Sequence, residues 1–93
     1  MFTLKDALWF VNEMGISLDA FSIKDLLTGL NIELEHGLVN PVTNVTNNDL
    51  LVTGKIALAH LMEYPNYYNE EYGLPAFEKE LERRLKNKYY KNT

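Results

Sequence analysis

The feature that most constrains the fold is the run from Leu50 to Tyr64, which is apolar on almost every side of the helix it predicts. Its strongly polar members are Thr53, Lys55, His60 and Glu63. A helix that is apolar all round is buried among other elements, because exposing such a surface to water costs free energy. Pro65 ends the run, since proline has no amide hydrogen with which to continue a helix. We therefore predict a central helix over residues 49–64.

Two similar segments, FTLKDAL and FSIKDLL, predict the starts of two earlier helices. In each, Thr3 or Ser22 can cap the helix while an Asp three positions later reaches back to the amide of the capping residue. The first helix is predicted over residues 4–14, ending at Gly15, with a core face of Leu4, Ala7, Leu8, Val11 and Met14. The second is predicted over residues 23–36, ending at Gly37 in a left-handed conformation, with a core face of Ile23, Leu26, Leu27, Leu30 and Leu34.

The remaining segments complete an all-α prediction. LVNPVTNVTNN contains Pro41 and four Asn, which is turn chemistry, and Thr46 with Asp49 is the predicted cap of the central helix. NYYNEEYG predicts a short fifth helical turn closed by Gly73. Pro75 suits the first position of a last helix over residues 76–90, with a narrow apolar stripe of Phe77, Leu81 and Leu85. The predicted fold is a compact bundle of four helices, with a short fifth, around the central helix.

Length and composition indicate one domain over residues 1–93, with residues 76–93 as a more exposed basic helix and tail. A chain of 93 residues supports a single core, and the absence of Cys excludes disulfides and thiol chemistry. No secretion signal and no apolar stretch near 18 residues is evident, so we expect a cytoplasmic protein without membrane contact. Residues 76–93 hold six cations against three acids, whereas the preceding residues are acidic.

Two Glu/His pairs are the strongest candidates for chemistry. Glu33 and His36 are three positions apart on the second helix, and His60 and Glu63 repeat that spacing on the central helix. If the pairs meet, they form a candidate site for zinc, manganese or iron, because carboxylates and imidazoles on facing helices build such sites. The same groups would suit a metal-dependent hydrolase. The alternative is a purely structural polar cluster, and we expect no cofactor and assign no catalytic residue.

Surface patterns indicate two kinds of partner. Tyrosine is enriched at protein interfaces, and four tyrosines crowd the segment EYPNYYNEEYG. With the adjoining Asn/Thr loop, the candidate partner-binding residues are Asn44, Thr46, Tyr64, Asn66, Tyr67, Tyr68 and Tyr72. Basic residues near the C-terminus are weaker candidates for nucleic-acid contact, and cations in the last turns of a helix also suit the helix dipole. This set is Arg83, Arg84, Lys86 and Lys88.

The segments ELEHG, TNVT and TGKIALAHL resemble a small family of uncharacterised bacterial and phage proteins. The resemblance extends from about Gly29 to Tyr68, and Asn66 stands where the family usually has Asp. The family has no assigned activity, so the resemblance implies none. It implies a bacterial or phage setting, which for a phage protein means the host cytoplasm.

These observations favour a small non-enzymatic protein that acts by protein–protein contacts, such as an inhibitor or modulator of host machinery. A Glu/His metal-binding protein is the alternative, and nucleic-acid binding through the basic tail is a weaker one.

Overall fold

The computed structural model describes residues 1–90, with side chains through Asn87, as a set of four α-helices. They are α1 (Leu4–Met14), α2 (Ile23–Glu33), α3 (Leu50–Glu63) and α4 (Leu74–Tyr90), and a 3₁₀ turn over Leu34–His36 extends α2. The part of the chain that the structure describes contains no strand, so the all-α prediction is confirmed. The predicted short fifth helix is absent from it, and residues 65–68 form turns instead. Within residues 1–90, no helix is long and apolar enough to cross a membrane.

The first two helices begin as predicted. The Thr3 and Ser22 hydroxyls accept hydrogen bonds from the amides of Asp6 and Asp25, and each Asp carboxylate accepts from the amide of its cap. Gly15 ends α1 in the left-handed conformation, with φ of 65°. Gly37 does not, because its φ of −107° lies outside the left-handed region, so that prediction was wrong. The second helix instead ends by tightening into the 3₁₀ turn.

Asp49, rather than Thr46, caps α3. Its carboxylate accepts a hydrogen bond of 2.9 Å from the amide of Val52. Asn47 and Asn48 have positive φ values of 53° and 61°, a left-handed conformation that Asn tolerates, so the helix starts only after them. Thr46 is buried and accepts a hydrogen bond from the amide of Asn48, which stabilises the turn before the helix.

The core lies where α1, α2 and α3 meet. Leu26 and Leu30 of α2 are fully buried, in agreement with the predicted face. The predicted face of α1 is confirmed in part, since Ala7 is fully buried and Val11 packs against the core. Leu4 and Leu8 are half exposed, and Phe10 is fully buried instead. Gly54 on α3 explains this, since a Cβ at that position would overlap the ring of Phe10. The glycine provides the space that admits the largest side chain of the α1 core face.

The fourth helix starts two residues earlier than predicted and contributes little to the core. Leu74 is its one residue, among those described, that packs against the buried cluster. Phe77, Leu81 and Leu85 form the predicted stripe but are 61%, 50% and 53% exposed. The stripe is therefore largely exposed to solvent in the single chain.

Candidate functional site

The candidate site is centred on Glu33, the last residue of α2. Glu33 is buried, and its Oε2 accepts a 2.5 Å hydrogen bond from the hydroxyl of Tyr68. Tyr68 is also buried, and its ring lies over Gly29, where a Cβ would come within 2.5 Å of the ring. A buried carboxylate without a partner would cost several kcal/mol, so the tyrosine is a structural requirement for Glu33.

Two histidines from different parts of the chain face the same carboxylate. His36 Nε2 lies 3.5 Å from Glu33 Oε1, and His60 Nε2 lies 3.8 Å from Glu33 Oε2. The imidazole of His36 is 46% exposed and that of His60 is 37% exposed, so the group opens to solvent on one side. The 3₁₀ turn carries His36, and the last turn of α3 carries His60.

Backbone contacts hold His36 in place. The amides of Val45 and Thr46 both donate to its carbonyl oxygen, at 2.7 and 3.2 Å. These hydrogen bonds hold the loop over residues 37–49 against the 3₁₀ turn. The TNVT segment therefore has a structural role beside the histidine.

Two tyrosines enclose His60. Tyr67 stacks on the imidazole with a centroid distance of 4.2 Å and an interplanar angle of 6°, and Tyr68 meets it edge-on at 6.2 Å. Burial raises the pKa of the Tyr68 phenol, and its hydrogen bond to Glu33 raises that pKa further. Burial, followed by the negative charge of Glu33, also raises the pKa of Tyr67. Both phenols therefore stay protonated near neutral pH and can act as hydrogen-bond donors.

Glu35 joins the group, although the sequence analysis did not select it. Its Oε1 lies 3.2 Å from His36 Nε2. Ligand atoms of Glu33, Glu35 and His36 all lie within 4.8 Å of one another, an arrangement that can hold a metal ion. Adjacent residues on an α-helix point in different directions, so helical spacing did not suggest this pairing. In the sequence, Glu35 is marked only by its position next to His36 and just before Gly37, where the helix ends.

Glu63 does not join the group. Its side chain is exposed, and within the described part of the chain it forms no hydrogen bond or ion pair. Three of the four residues selected from the sequence, Glu33, His36 and His60, are thus brought together. Glu63 lies in the final turn of α3, where water can solvate its carboxylate.

The donor atoms of Glu33, Glu35 and His36 have the spacing that one zinc ion requires. Two zinc ligands in tetrahedral geometry, with bonds of about 2.0–2.2 Å, are about 3.4 Å apart. The three imidazole-to-carboxylate separations are 3.2, 3.5 and 3.8 Å. Glu33, Glu35 and His36 already bring ligand atoms within 4.8 Å of one another, and His60 would have to move toward them to share one ion.

The candidate partner-binding residues divide into exposed and buried sets. Tyr64 and Tyr72 are 59% and 66% exposed, and Asn66 is exposed as well. Thr46 and Tyr68 are each 2% exposed, so their side chains support the fold instead of offering contact surface. Two further members are partly covered: Tyr67 by His60, and Asn44, which donates to Asn47 Oδ1 at 2.6 Å.

The basic candidates on α4 pair mostly with acids of the same helix. Arg83 and Arg84 both bind Glu80, at 2.6 and 3.0 Å, and Lys86 lies 3.7 Å from Glu82. The two arginines hold the pKa of Glu80 at about 2 by hydrogen bonding to its carboxylate. The side chain of Lys88 lies outside the described residues. These pairs reduce the free positive charge that a nucleic-acid backbone would attract.

Comparison with known proteins identifies the family without identifying an activity. The profile of a family described as a protein of unknown function, DUF5661, matches residues 7–80. No curated protein and no solved structure matches the chain. The match begins within α1, ends within α4 and includes every residue of the Glu33 group. The chain therefore belongs to the DUF5661 family of proteins of unknown function.

Proposed function

We propose that this protein binds one divalent transition-metal ion through His36, His60 and Glu33, with Glu35 as a fourth, exchangeable ligand. The observation that carries the proposal is that two imidazole Nε2 atoms from separate segments face one buried carboxylate. Two imidazoles with one or two carboxylates are a ligand set that zinc accepts, and iron and manganese are the alternatives. Zinc is the probe of choice because it is redox-inert and tolerates this coordination.

A purely structural role explains the group less well. Glu33 already has a hydrogen bond from Tyr68, so it does not need His60 to offset its burial. His60 is more than one third exposed and can reach water, so it does not need Glu33 either. Convergence of both imidazoles on this carboxylate is expected if an ion completes the group.

Titration of metal-free, untagged protein with Zn²⁺ tests the proposal. We expect one tight site by calorimetry or chelator competition, and loss of that site in His60→Ala and in His36→Ala. Glu63→Gln is the matched control, because Glu63 lies next to the group in sequence but is exposed and unpaired there. Zinc at a concentration 100 times its Kd should stabilise the fold by about 2.7 kcal/mol.

Circular dichroism of each variant distinguishes loss of the site from loss of the fold. A folded His60→Ala protein that binds zinc as tightly as the parent would overturn the proposal. A parent protein that binds no zinc, iron or manganese would overturn it as well, and the Glu33 group would then be a structural polar cluster.

We propose protein–protein contact as a second function, favoured by exposed large side chains at the end of α3 and in the loop that follows it. Tyr64, Tyr72 and Met62 lie close together in sequence and are 59%, 66% and 74% exposed. Tyrosine and methionine contribute strongly to contact surfaces, and a bacterial or phage protein is the partner we expect. Tyr64→Ala with Tyr72→Ala should release a partner that the parent retains, whereas Lys55→Ala, at an exposed position on α3, should not.

A further inference from the structure

The fourth helix presents an apolar stripe that the single chain leaves uncovered. Phe77, Leu81 and Leu85 recur every four residues along α4 and are each at least half exposed. Among the described residues of this helix, only Leu74 packs against the core. Helices with an exposed stripe of this kind normally cover it against another element.

The charge pattern of α4 indicates which element can cover the stripe. Residues 74–82 carry three acids and one Lys, a net charge of −2, and residues 83–90 carry four cations and no acid, a net charge of +4. An antiparallel neighbour with the same sequence would set each acidic half against a basic half. A parallel neighbour would set like charges against each other, which is unfavourable.

We propose that α4 pairs with α4 of a second copy of this chain, antiparallel and centred on Leu81. In that register Phe77 of one copy lies opposite Leu85 of the second copy, so the two stripes cover each other. Glu80 precedes the stripe residue Leu81, and Arg84 precedes Leu85, so both lie along the same flank. Antiparallel pairing centred on Leu81 sets Arg84 of each copy between Ala76 and Glu80 of the second copy.

Each α4 keeps its own ion pairs when the dimer forms. Glu80 binds Arg83 and Arg84 within its helix, and its two carboxylate oxygens can accept further donors. No residue of the stripe belongs to the Glu33 group, so the proposed dimer does not require the metal ion. Dimerisation through α4 is therefore expected with or without metal.

Sedimentation equilibrium in the presence of a chelator tests the proposal, because the chelator removes any metal-bridged association. We expect a concentration-dependent dimer for the parent. Leu81→Glu should weaken it at least about a hundredfold, since the dimer loses two buried leucines worth about tenfold or more each. Val42→Glu is the matched control, because Val42 is 90% exposed in the loop, away from the stripe.

Disulfide trapping tests the orientation in a chain that has no Cys of its own. A mixture of Ala76→Cys and Arg84→Cys proteins should form the mixed disulfide. Each protein alone should form far less, because along the helix axes the two copies of residue 76 are about 15 Å apart and the two copies of residue 84 about 9 Å apart. Disulfides within each single variant, without the mixed product, would indicate parallel pairing and overturn the proposal. A monomeric parent at millimolar concentration, or an unchanged dimer in Leu81→Glu, would overturn it too.

Discussion

The Tyr68 hydroxyl donates a 2.5 Å hydrogen bond to the carboxylate of Glu33, across a separation of 35 residues in the chain. This contact joins the turn after α3 to the end of α2 and neutralises the cost of burying Glu33. It also occupies one carboxylate oxygen, Oε2, and so orients the other oxygen, Oε1, toward His36.

Tyr68→Phe removes this hydrogen bond while keeping the buried ring. We expect a loss of about 1.5–3 kcal/mol in the free energy of unfolding, because the lost bond is to a charged group that stays buried. Urea denaturation measures the change. Tyr72→Phe is the control, since Tyr72 is 66% exposed, and its free energy of unfolding should match that of the parent.

The same contact predicts how stability depends on alkaline pH. Burial raises the pKa of Tyr68 above the ordinary value of 10.0, so below pH 10 the phenol is protonated in both folded and unfolded chains. Above pH 10 the unfolded chain loses this proton while the folded chain keeps it. The free energy of unfolding therefore falls by about 1.4 kcal/mol per pH unit. The ionisation of Tyr68 should therefore not change the free energy of unfolding below pH 10, and should lower it above pH 10.

Urea midpoints of the parent and Tyr68→Phe between pH 8 and pH 11.5 check this prediction. The difference between the two urea midpoints should be constant from pH 8 to about pH 10 and should shrink above pH 10. A constant difference across the whole range would contradict the assignment of the pKa shift to Tyr68.

Gly29→Ala should destabilise the protein although alanine is the better helix former. The new Cβ would lie 2.5 Å from the Tyr68 ring, and such overpacking costs about 1–3 kcal/mol, against a helix-propensity gain of about 1 kcal/mol. In a Tyr68→Ala background the same substitution should be neutral or stabilising. The double-mutant cycle measures this coupling, and simple additivity would contradict the packing described here.

Thr53→Val should stabilise the fold. Thr53 is fully buried in α3, and its hydroxyl has no hydrogen-bond partner among the described residues. Valine has nearly the same shape and removes that unsatisfied group, for an expected gain of about 1 kcal/mol. Thr53→Ser retains the hydroxyl and removes a buried methyl group, so it should destabilise. Thermal melts of the three proteins decide the sign.

The limits of sequence reasoning are visible at particular residues. Capping chemistry is local, so Thr3 and Ser22 predicted the starts of α1 and α2 correctly. The burial of Phe10 and Tyr68 depends on Gly54 and Gly29 in other helices, which helical periodicity does not contain. Similarly, the sequence shows the spacing of each Glu/His pair but not which carboxylates face the histidines. The 3₁₀ turn brings Glu35 beside His36, whereas Glu63 is exposed to solvent at the end of α3.

The most direct test of the proposed metal site is anomalous diffraction at the zinc absorption edge from crystals of zinc-loaded protein. We predict an anomalous peak about 2.0–2.1 Å from the Nε2 atoms of His36 and His60 and about 2.0–2.2 Å from a Glu33 carboxylate oxygen. A peak bound by other residues, or none at this group while zinc is present in the crystal, would contradict the account.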